Sequence, residues 1–334
     1  MRRISYADAI VEALRTSLSE DPYFSLIGSY VLGLGPKRVL MDSLRTEFPD
    51  RIYDPPTSEA AIISIGAGAA MAGARPFIDI GTASFSYVGW SPLVNEAAVA
   101  CYMSGGSLRV PVVYHMLHGL RGGGASQHSG SPQAMLWNAP GLEIVLPSTP
   151  YDVKGLMRSA IKSDNPTVFI NHARLMDIEG DVPAEDYTVP FGRADIKRPG
   201  RDATVVATSF VVHAALSAAE RLAADGIEVE VVDPRTLVPL DRAAILDSVQ
   251  RTGRLVVVDE APLSCGVASE ISAIMADEGF EFLRSPIVRV TRPDIPVPFS
   301  KPLEDSITPT AERVIAAVQQ VIDWRAKRDS ARPN

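Results

Sequence analysis

One proline-rich segment places a carboxylate at the start of a predicted helix. Its sequence is Tyr53-Asp54-Pro55-Pro56-Thr57-Ser58-Glu59-Ala60-Ala61. The two prolines end the preceding segment, and Thr57 or Ser58 is suited to cap the helix that follows. Glu59 therefore falls in the first helical turn, where it is a candidate catalytic carboxylate. The same position also suits a glutamate that only favours the helix N-terminus.

A glycine-rich segment carries the second candidate, a histidine. It reads Gly119-Leu120-Arg121-Gly122-Gly123-Gly124-Ala125-Ser126-Gln127-His128-Ser129-Gly130-Ser131. The glycines favour a flexible loop with exposed backbone amides, and His128 is able to transfer protons near neutral pH. The alternative is a mobile surface loop with a solvated histidine. No Gly-Lys-Ser/Thr follows, so the segment is not a P-loop.

A second glycine-rich segment resembles a dinucleotide fingerprint only at first sight. Gly66-Ala67-Gly68-Ala69-Ala70-Met71-Ala72-Gly73 lacks the third glycine at the required offset. It also lies inside a helical pattern and not at a turn between a strand and a helix. We interpret it as a helix face of small residues that packs closely against its neighbours.

The elements that must position these side chains form an alternating pattern. Short β-branched runs predict strands at Tyr23–Gly28, Arg75–Ile80, Val110–His115, Glu143–Pro147 and Thr167–Asn171. Helical stretches fit between them at Ser58–Ala72, Ser91–Met103 and Tyr151–Ser163. An earlier helix begins at Ser5-x-x-Asp8. The alternation predicts an α/β fold whose parallel sheets are covered by helices.

A second alternation follows a segment rich in turns and charges. Glu179-Gly180-Asp181-Val182-Pro183 and Lys197-Arg198-Pro199-Gly200 mark this segment. The later strands and helices are Thr204–Ala207, Val211–Ala224, Ile227–Val232, Arg242–Gln250, Leu255–Asp259, Ala268–Ala276, Ile287–Val290 and Thr310–Ile322. We therefore predict two domains, residues 1–190 and 191–334.

Composition and charge narrow the classes of function. The 334 residues carry a net charge of −8 and are 46% hydrophobic, as in an ordinary globular protein. Nucleic acids and anionic membranes are disfavoured as partners, because both require clustered Lys and Arg. No apolar run approaches a membrane span. The two cysteines, Cys101 and Cys265, suggest neither a disulfide framework nor a zinc site, so we expect a cytoplasmic protein.

In their order along the chain, these segments resemble one family from about Tyr6 to Ile322. The family comprises the β subunits of the E1 component of 2-oxo acid dehydrogenases, among them pyruvate, branched-chain and acetoin dehydrogenases. The motifs are Thr57-Ser58-Glu59-Ala60, Gly68-Ala69-Ala70-Met71-Ala72-Gly73, Tyr102-Met103-Ser104-Gly105-Gly106, Gln127-His128-Ser129, Asp152-Val153-Lys154-Gly155-Leu156, Asp164-Asn165-Pro166, Val232-Asp233-Pro234-Arg235-Thr236-Leu237, Thr252-Gly253-Arg254-Leu255-Val256-Val257-Val258-Asp259-Glu260 and Leu303-Glu304-Asp305. The stretch from Val258 to Ala273 looks most like acetoin dehydrogenase β subunits.

The resemblance implies a thiamine diphosphate enzyme with a pyrimidine-binding domain and a smaller transketolase C-terminal-like domain. Glu59 would hydrogen-bond ring nitrogen N1′ and favour the tautomer that takes the proton from thiazolium C2. Gly81 would lie beside the ring, and Phe85 would pack against it. His128 would move protons near the reactive carbon.

The resemblance also implies that the chain does not work alone. Thiamine enzymes hold Mg²⁺ and diphosphate through a Gly-Asp-Gly stretch, whereas Gly180-Asp181 here continues with Val182-Pro183. An E1 α subunit would supply this half-site in an α₂β₂ heterotetramer that works with a lipoyl-bearing E2 and an E3. Some family members bind K⁺, which here would involve Val112, Ala160, Ile161, Ser163 and Asn165.

Several residues depart from the family pattern. His115 stands where the family usually has arginine, and His118 lies three residues on. Cys101 replaces a frequent basic residue, and Trp90 adds bulk. Histidine changes both the charge and the fork geometry that an arginine offers a carboxylate. Either the substrate or subunit contact is unusual, or the histidines are satisfied interior groups.

Four functions remain to be compared. The first is an E1 β subunit acting on a 2-oxo acid or acetoin. The second is the C-terminal half of a split transketolase-type enzyme, for which the first domain carries few basic residues to bind sugar phosphates. The third is an NAD-dependent dehydrogenase, which the missing fingerprint opposes. The fourth is a noncatalytic partner, which the presence of Glu59, Phe85 and His128 opposes.

Overall fold

The computed structural model describes residues 1–28 and 37–324. The chain divides into two compact units. The first comprises Met1–Phe191 together with Thr236–Pro239. The second comprises Gly192–Arg235 and Leu240–Asn334. Each unit has a sheet of its own, and the candidate site residues all lie in the first.

The described residues form fourteen strands and twelve α-helices. The strands are β1 (Arg2–Ser5), β2 (Phe24–Ile27), β3 (Ile52–Tyr53), β4 (Arg75–Thr82), β5 (Val113–His118), β6 (Glu143–Val145), β7 (Thr167–His172), β8 (Glu179–Val182), β9 (Asp195–Arg198), β10 (Ala203–Ala207), β11 (Val229–Asp233), β12 (Thr236–Val238), β13 (Leu255–Pro262) and β14 (Val288–Arg292). The helices are α1 (Tyr6–Glu20), α2 (Arg38–Glu47), α3 (Glu59–Met71), α4 (Ala100–Met103), α5 (Ala125–His128), α6 (Gln133–Trp137), α7 (Pro150–Lys162), α8 (Val211–Ala224), α9 (Arg242–Thr252), α10 (Val267–Glu278), α11 (Lys301–Ile307) and α12 (Ala311–Ile322).

A seven-stranded sheet organises the first unit. Its strand order is β12-β6-β7-β5-β4-β2-β3, and every pair except β12 with β6 is parallel. The central strands are buried along almost their whole length, as in strands covered on both faces. The predicted α/β fold with mostly parallel sheets is confirmed.

A five-stranded sheet organises the second unit, with order β14-β13-β10-β11-β9. Only β9 runs antiparallel to its neighbour. Its core is made by buried Val and Ala side chains of β10, β11 and β13 packed against α8 and α12. Helix α8 begins and ends where its apolar spacing predicts, at Val211 and Ala224.

Helix α1 shows how local sequence starts an element. Ser5 is its N-cap, and the Ser5 side chain accepts a hydrogen bond from the backbone N–H of Asp8 at 3.1 Å. Its buried face, which includes Ile10 and Leu14, packs against α7. The predicted helix start at Ser5 is confirmed.

Two predicted boundaries in the first half of the chain were wrong. The strand predicted at Val110–His115 lies three residues later, at Val113–His118, because Pro111 has no backbone N–H to donate to a central ladder. The helix predicted at Ser91–Met103 is broken into a π-turn at Pro92–Ala97 and the short helix α4. The first shift places His118, and not His115, at the strand end.

The segment Glu179-Gly180-Asp181-Val182-Pro183, predicted as a turn, contains strand β8. Its residues pair antiparallel with β1, so that Arg2 lies opposite Val182 and Ser5 opposite Glu179. This pairing joins positions almost the full length of the first unit apart. A strand whose partner is so distant in sequence leaves only a weak local pattern.

A fully buried arginine ties three parts of the first unit together. The Arg158 side chain on α7 is 1% exposed. Its Nε and Nη2 donate to the two carboxylate oxygens of Asp186 at 2.7 and 2.9 Å. Its Nη1 donates to Ser17 Oγ at 2.5 Å, and Nη2 also pairs with Glu20. The hydrogen bond from Arg158 lowers the pKa of Asp186. The bidentate pair fixes α7 to the segment of Asp186, and the contacts with Ser17 and Glu20 fix α7 against α1.

Candidate active site

The predicted site residues gather at one edge of the seven-stranded sheet. Glu59 follows β3, Gly81 lies near the end of β4, and the loop that carries His128 follows β5. These three strands run parallel, so their carboxyl ends meet at the same edge. Ligands of open α/β sheets bind at this edge.

Glu59 is the first residue of α3, as predicted, and its side chain is half-buried. Ser58 occupies the N-cap position but makes no side-chain cap hydrogen bond there. The main chain at Gly89 packs on this turn, since a Cβ built there would lie 3.3 Å from the Glu59 carbonyl oxygen. This contact brings the segment after Phe85 against the start of α3.

Gly81 lies at an irregularity of strand β4. The register with β5 shifts between Asp79 and Gly81, and Gly81 has a φ of +82°. Its backbone N–H donates to Asp79 Oδ1 at 3.1 Å. A residue with a side chain would be strained in this left-handed conformation, so glycine allows the bulge.

Phe85 and His128 are in direct ring contact. Phe85 belongs to a short 3₁₀ turn, Ala83–Tyr87, after β4, and His128 ends the helix α5. Their ring centroids lie 5.2 Å apart at an interplanar angle of 80°, an edge-to-face pair. His128 is exposed and Phe85 is half-buried. The loop predicted around His128 contains the short helix α5 in its second half.

His115 is an interior group joined to a buried hydrogen-bonded chain. Tyr6 Oη donates to Asn171 Oδ1 at 2.5 Å, which leaves the Asn171 amide to donate to His115 Nε2 at 2.7 Å. The other ring nitrogen, Nδ1, faces Asp79 Oδ1 at 3.5 Å. Asp79 in turn holds the Gly81 amide. This buried row of side chains, from Tyr6 to Asp79, supports the bulge at Gly81.

His118 is also buried, at the end of β5. Its Nδ1 lies 3.3 Å from Ser131 Oγ. Its ring stands edge-to-face on His172, the neighbouring residue of β7, at 5.0 Å. His172 Nδ1 accepts the backbone N–H of Arg174 at 3.1 Å. His115 and His118 are thus interior groups with one hydrogen-bonded ring nitrogen each, which favours the second of the two interpretations that the sequence allowed.

The oxygens predicted to bind potassium already have partners. The carbonyls of Ile161 and Ser163 accept from Arg75 Nη1 at 3.2 and 2.9 Å. Those of Val112 and Ala160 accept backbone N–H groups, and the Asn165 amide donates to Glu143 at 3.1 Å. Backbone oxygens suit a hard cation, whereas the Arg75 guanidinium opposes one.

Potassium binding stays a prediction. A bound ion stabilises the folded chain in proportion to its saturation of the site. If the site binds K⁺, the melting temperature will therefore rise with KCl and not with NaCl at equal ionic strength. Equal melting curves in the two salts would contradict it.

The sequence did not single out every residue that shapes the site. Asp79, Asn171 and His172 were missed, because each lies in an apolar strand and carries no motif. The signal they offered was a polar side chain interrupting a buried strand. Among residues 1–28 and 37–324, no group of three or more His, Cys, Asp or Glu side chains is arranged to hold a metal ion. No helix in those ranges is long and apolar enough to cross a membrane.

The comparisons with known proteins agree with this architecture. Residues 2–177 match the transketolase pyrimidine-binding domain, and residues 192–314 match the transketolase C-terminal domain. A solved split gene transketolase, described as an inactive beta4 tetramer, has a TM-score of 0.79 and covers 96% of this chain and 99% of its own. At 23% identity, that likeness shows the fold alone.

Several relatives are more similar to this chain in sequence than the split gene transketolase is. The chain is 40% identical to the acetoin:2,6-dichlorophenolindophenol oxidoreductase subunit beta of Cupriavidus necator, covering 96% of this chain and 98% of that protein. It is 38% identical to the 2-oxoisovalerate dehydrogenase subunit beta of Bacillus subtilis, covering 97% and 100%. It is 36% identical to the mitochondrial pyruvate dehydrogenase E1 component subunit beta of Ascaris suum, covering 96% and 90%. The chain therefore belongs to the family of the E1 β subunits of 2-oxo acid and acetoin dehydrogenases.

Proposed function

We propose that this chain is the β subunit of a cytoplasmic, thiamine diphosphate-dependent E1 enzyme. With an E1 α subunit in an α₂β₂ heterotetramer, it decarboxylates a 2-oxo acid, or cleaves acetoin, and transfers the acyl group to a lipoyl group on E2. The observation that carries the proposal is the position of Glu59, Gly81 and the Phe85–His128 pair at the carboxyl edge of the same sheet.

The residues of this edge suit a flat, weakly basic heterocycle. When bound, thiamine diphosphate supplies the electron sink for cleavage beside a carbonyl. In this proposal Glu59, at the start of α3, shares a proton with the pyrimidine N1′. Gly81 offers backbone without a side chain, and Phe85 offers an aromatic face. His128, exposed beside Phe85, moves protons between substrate and solvent in this proposal.

The diphosphate and Mg²⁺ half-site belongs to the partner chain in this proposal, since the Gly-Asp-Gly stretch is missing here. We expect titration calorimetry of the isolated chain with thiamine diphosphate and Mg²⁺ to give no tight binding. The same titration of the α–β assembly should saturate. Tight binding by the isolated chain would contradict the half-site argument.

The composition and exposure of helix α3 are independent support for the proposal that a partner chain binds here. Its residues are apolar or small on every side, as in a helix surrounded by protein. One side nevertheless faces solvent in the single chain, with Ala61, Ser64, Ile65 and Gly68 exposed. Ile65 is 48% exposed. We propose that another subunit of the tetramer covers this side.

A substitution of Gly68 separates folding from assembly. A Cβ built on Gly68 meets nothing within 4 Å, so leucine fits the isolated chain. Leucine also favours a helix over glycine by roughly 1 kcal/mol. We expect Gly68→Leu to keep or raise the melting temperature and to abolish tetramer formation, as measured by light scattering after gel filtration. Ser64→Ala is the matched control, and normal assembly of Gly68→Leu would exclude this side as an interface.

The alternative functions have less support. The split transketolase structure shares the fold at 23% identity, against 40% with an acetoin-oxidising subunit. A dehydrogenase that binds NAD needs a glycine turn between strand and helix, whereas Gly66–Gly73 runs within and directly after α3. A noncatalytic partner would not require Glu59 and the Phe85–His128 pair to meet.

Turnover by the reconstituted pair tests the proposal. The chain and its α partner are assayed with a panel of 2-oxo acids and acetoin, with 2,6-dichlorophenolindophenol as electron acceptor and thiamine diphosphate with Mg²⁺ present. We expect reduction of the dye with one substrate class and none without the cofactor. A pair that assembles and binds the cofactor but turns over only sugar phosphates would favour the split transketolase instead.

A further inference from the structure

The glycine-rich loop is closed at its base by backbone and side-chain contacts. The Gly119 N–H donates to the Gly130 carbonyl at 3.2 Å. One residue outward on each side, His118 Nδ1 lies 3.3 Å from Ser131 Oγ. These two contacts form a stem between the end of β5 and the residues before α6.

The His118 ring has a rigid backing. His172 is held by the hydrogen bond from Arg174, and His118 stands edge-to-face on it at an angle of 89°. Their exposed fractions are 2% for His118 and 0% for His172. A ring packed this tightly has few alternative rotamers, so the hydrogen bond to Ser131 leaves from a fixed point.

The stem also packs closely against the turn that carries Phe85. A Cβ built on Gly130 would overlap Ser84 Oγ and lie 3.4 Å from Ser84 Cβ. A side chain fits there only if the Ser84 hydroxyl moves or is removed. The stem thereby sets the distance between the loop and the 3₁₀ turn, and hence between His128 and Phe85.

Within the loop, the backbone is held away from its preferred conformation. Ala125, the first residue of α5, has a φ of +52°. A left-handed alanine costs on the order of 1 kcal/mol or more and persists only when its surroundings hold it. His128 ends this same short helix, so its position depends on those surroundings.

We propose that His118, Ser131 and Gly130, with Ser84 opposite, form a stem clamp that positions His128 over Phe85. These are positioning residues, because they reach the reacting atoms only through His128. The inference rests on the proposed function for its activity readout, and its structural readout is independent of that function. It assigns a role to the buried histidine pair that the interior location alone does not require.

A compensating pair of substitutions tests the contact between stem and turn. In the reconstituted enzyme, Gly130→Ala should lower kcat by about tenfold or more, because a misplacement of about 1 Å costs as much as a hundredfold. Ser84→Ala removes the overlapping hydroxyl. The double variant should therefore recover to within about threefold of Ser84→Ala alone, a coupling expected only of residues in contact.

His118→Phe and Ser131→Ala test the hydrogen bond of the stem. Phenylalanine keeps a ring against His172 but cannot bond Ser131. We expect kcat to fall about tenfold with little change in KM, and the limb of the pH–rate profile that reports His128 to shift. A destabilised fold would instead lower active enzyme concentration without moving the pH profile.

Tryptic cleavage after Arg121 gives the readout that does not need turnover. Loosening the stem should speed cleavage at this loop residue several-fold in the assembled protein, with other sites unaffected. Wild-type cleavage rates together with uncoupled Gly130 and Ser84 effects would overturn the clamp. If the wild-type pair has no thiamine-dependent turnover, the proposed function fails, and the cleavage rates still decide the clamp.

Discussion

Replacing Glu59 by glutamine is expected to lower the turnover of the reconstituted enzyme by about 10³-fold, because the amide is nearly isosteric but cannot share a proton. Glu59 begins α3 at the carboxyl edge of the first sheet, and its side chain is half-buried. Since Ser58 and Glu59 make no side-chain cap of α3, the substitution leaves the helix start unchanged. The yield and size of the assembly should therefore match the wild type.

Two measurements make this expectation decisive. Steady-state kinetics gives kcat, and titration calorimetry shows whether thiamine diphosphate still binds. Glu281→Gln, the same change at an exposed position of the second unit, is the control and should be neutral. Turnover of Glu59→Gln within about threefold of wild type would remove Glu59 from the mechanism.

Replacing Arg158 by methionine is expected to destabilise the first unit by roughly 3 kcal/mol. Methionine fills much of the volume, but it leaves Asp186 and Ser17 without the donor that joins them. In a unit of this size, such a loss lowers the melting temperature by about 6–12 °C. Differential scanning calorimetry of the full chain measures it.

The dependence on pH separates the ion pair from packing. The pKa of Asp186 in the folded chain is lowered by its hydrogen bond from Arg158. The pair therefore stabilises fully above the ordinary carboxyl pKa and loses that contribution as the pH falls through the lowered value. The difference in melting temperature between wild type and Arg158→Met should become smaller below about pH 4. A gap that does not change with pH would assign the effect to packing alone.

Local sequence was a good guide where the physics is local. The buried strands β4, β7, β10 and β13 were recognised, because β-branched runs bounded by turns have few alternatives. The start of α1 at Ser5 and both ends of α8 followed from capping and apolar spacing. Strands β1 and β12 were missed, since each is short and pairs with a segment more than ninety residues away.

The candidate site also has features that the sequence predicted and features that only the tertiary structure showed. The order of motifs alone identified the family. Glu59 and His128 were singled out from their own segments, after the two prolines and in the glycine-rich loop, whereas Gly81 and Phe85 followed only from the resemblance. Their roles toward the cofactor remain predictions. The contact between Phe85 and His128, and the packing of Gly130 on Ser84, were decided only by the tertiary structure.

The interior histidines mark the limit most clearly. From sequence, His115 and His118 fitted either an altered substrate pocket or a satisfied core. The choice depended on Tyr6 and Asn171, 165 residues apart, meeting at 2.5 Å. The start of α1 and the ends of α8 depend mainly on adjacent residues, so the sequence alone determined them. Hydrogen bonding of buried side chains depends on which distant strands become neighbours, and only the folded sheet decides that.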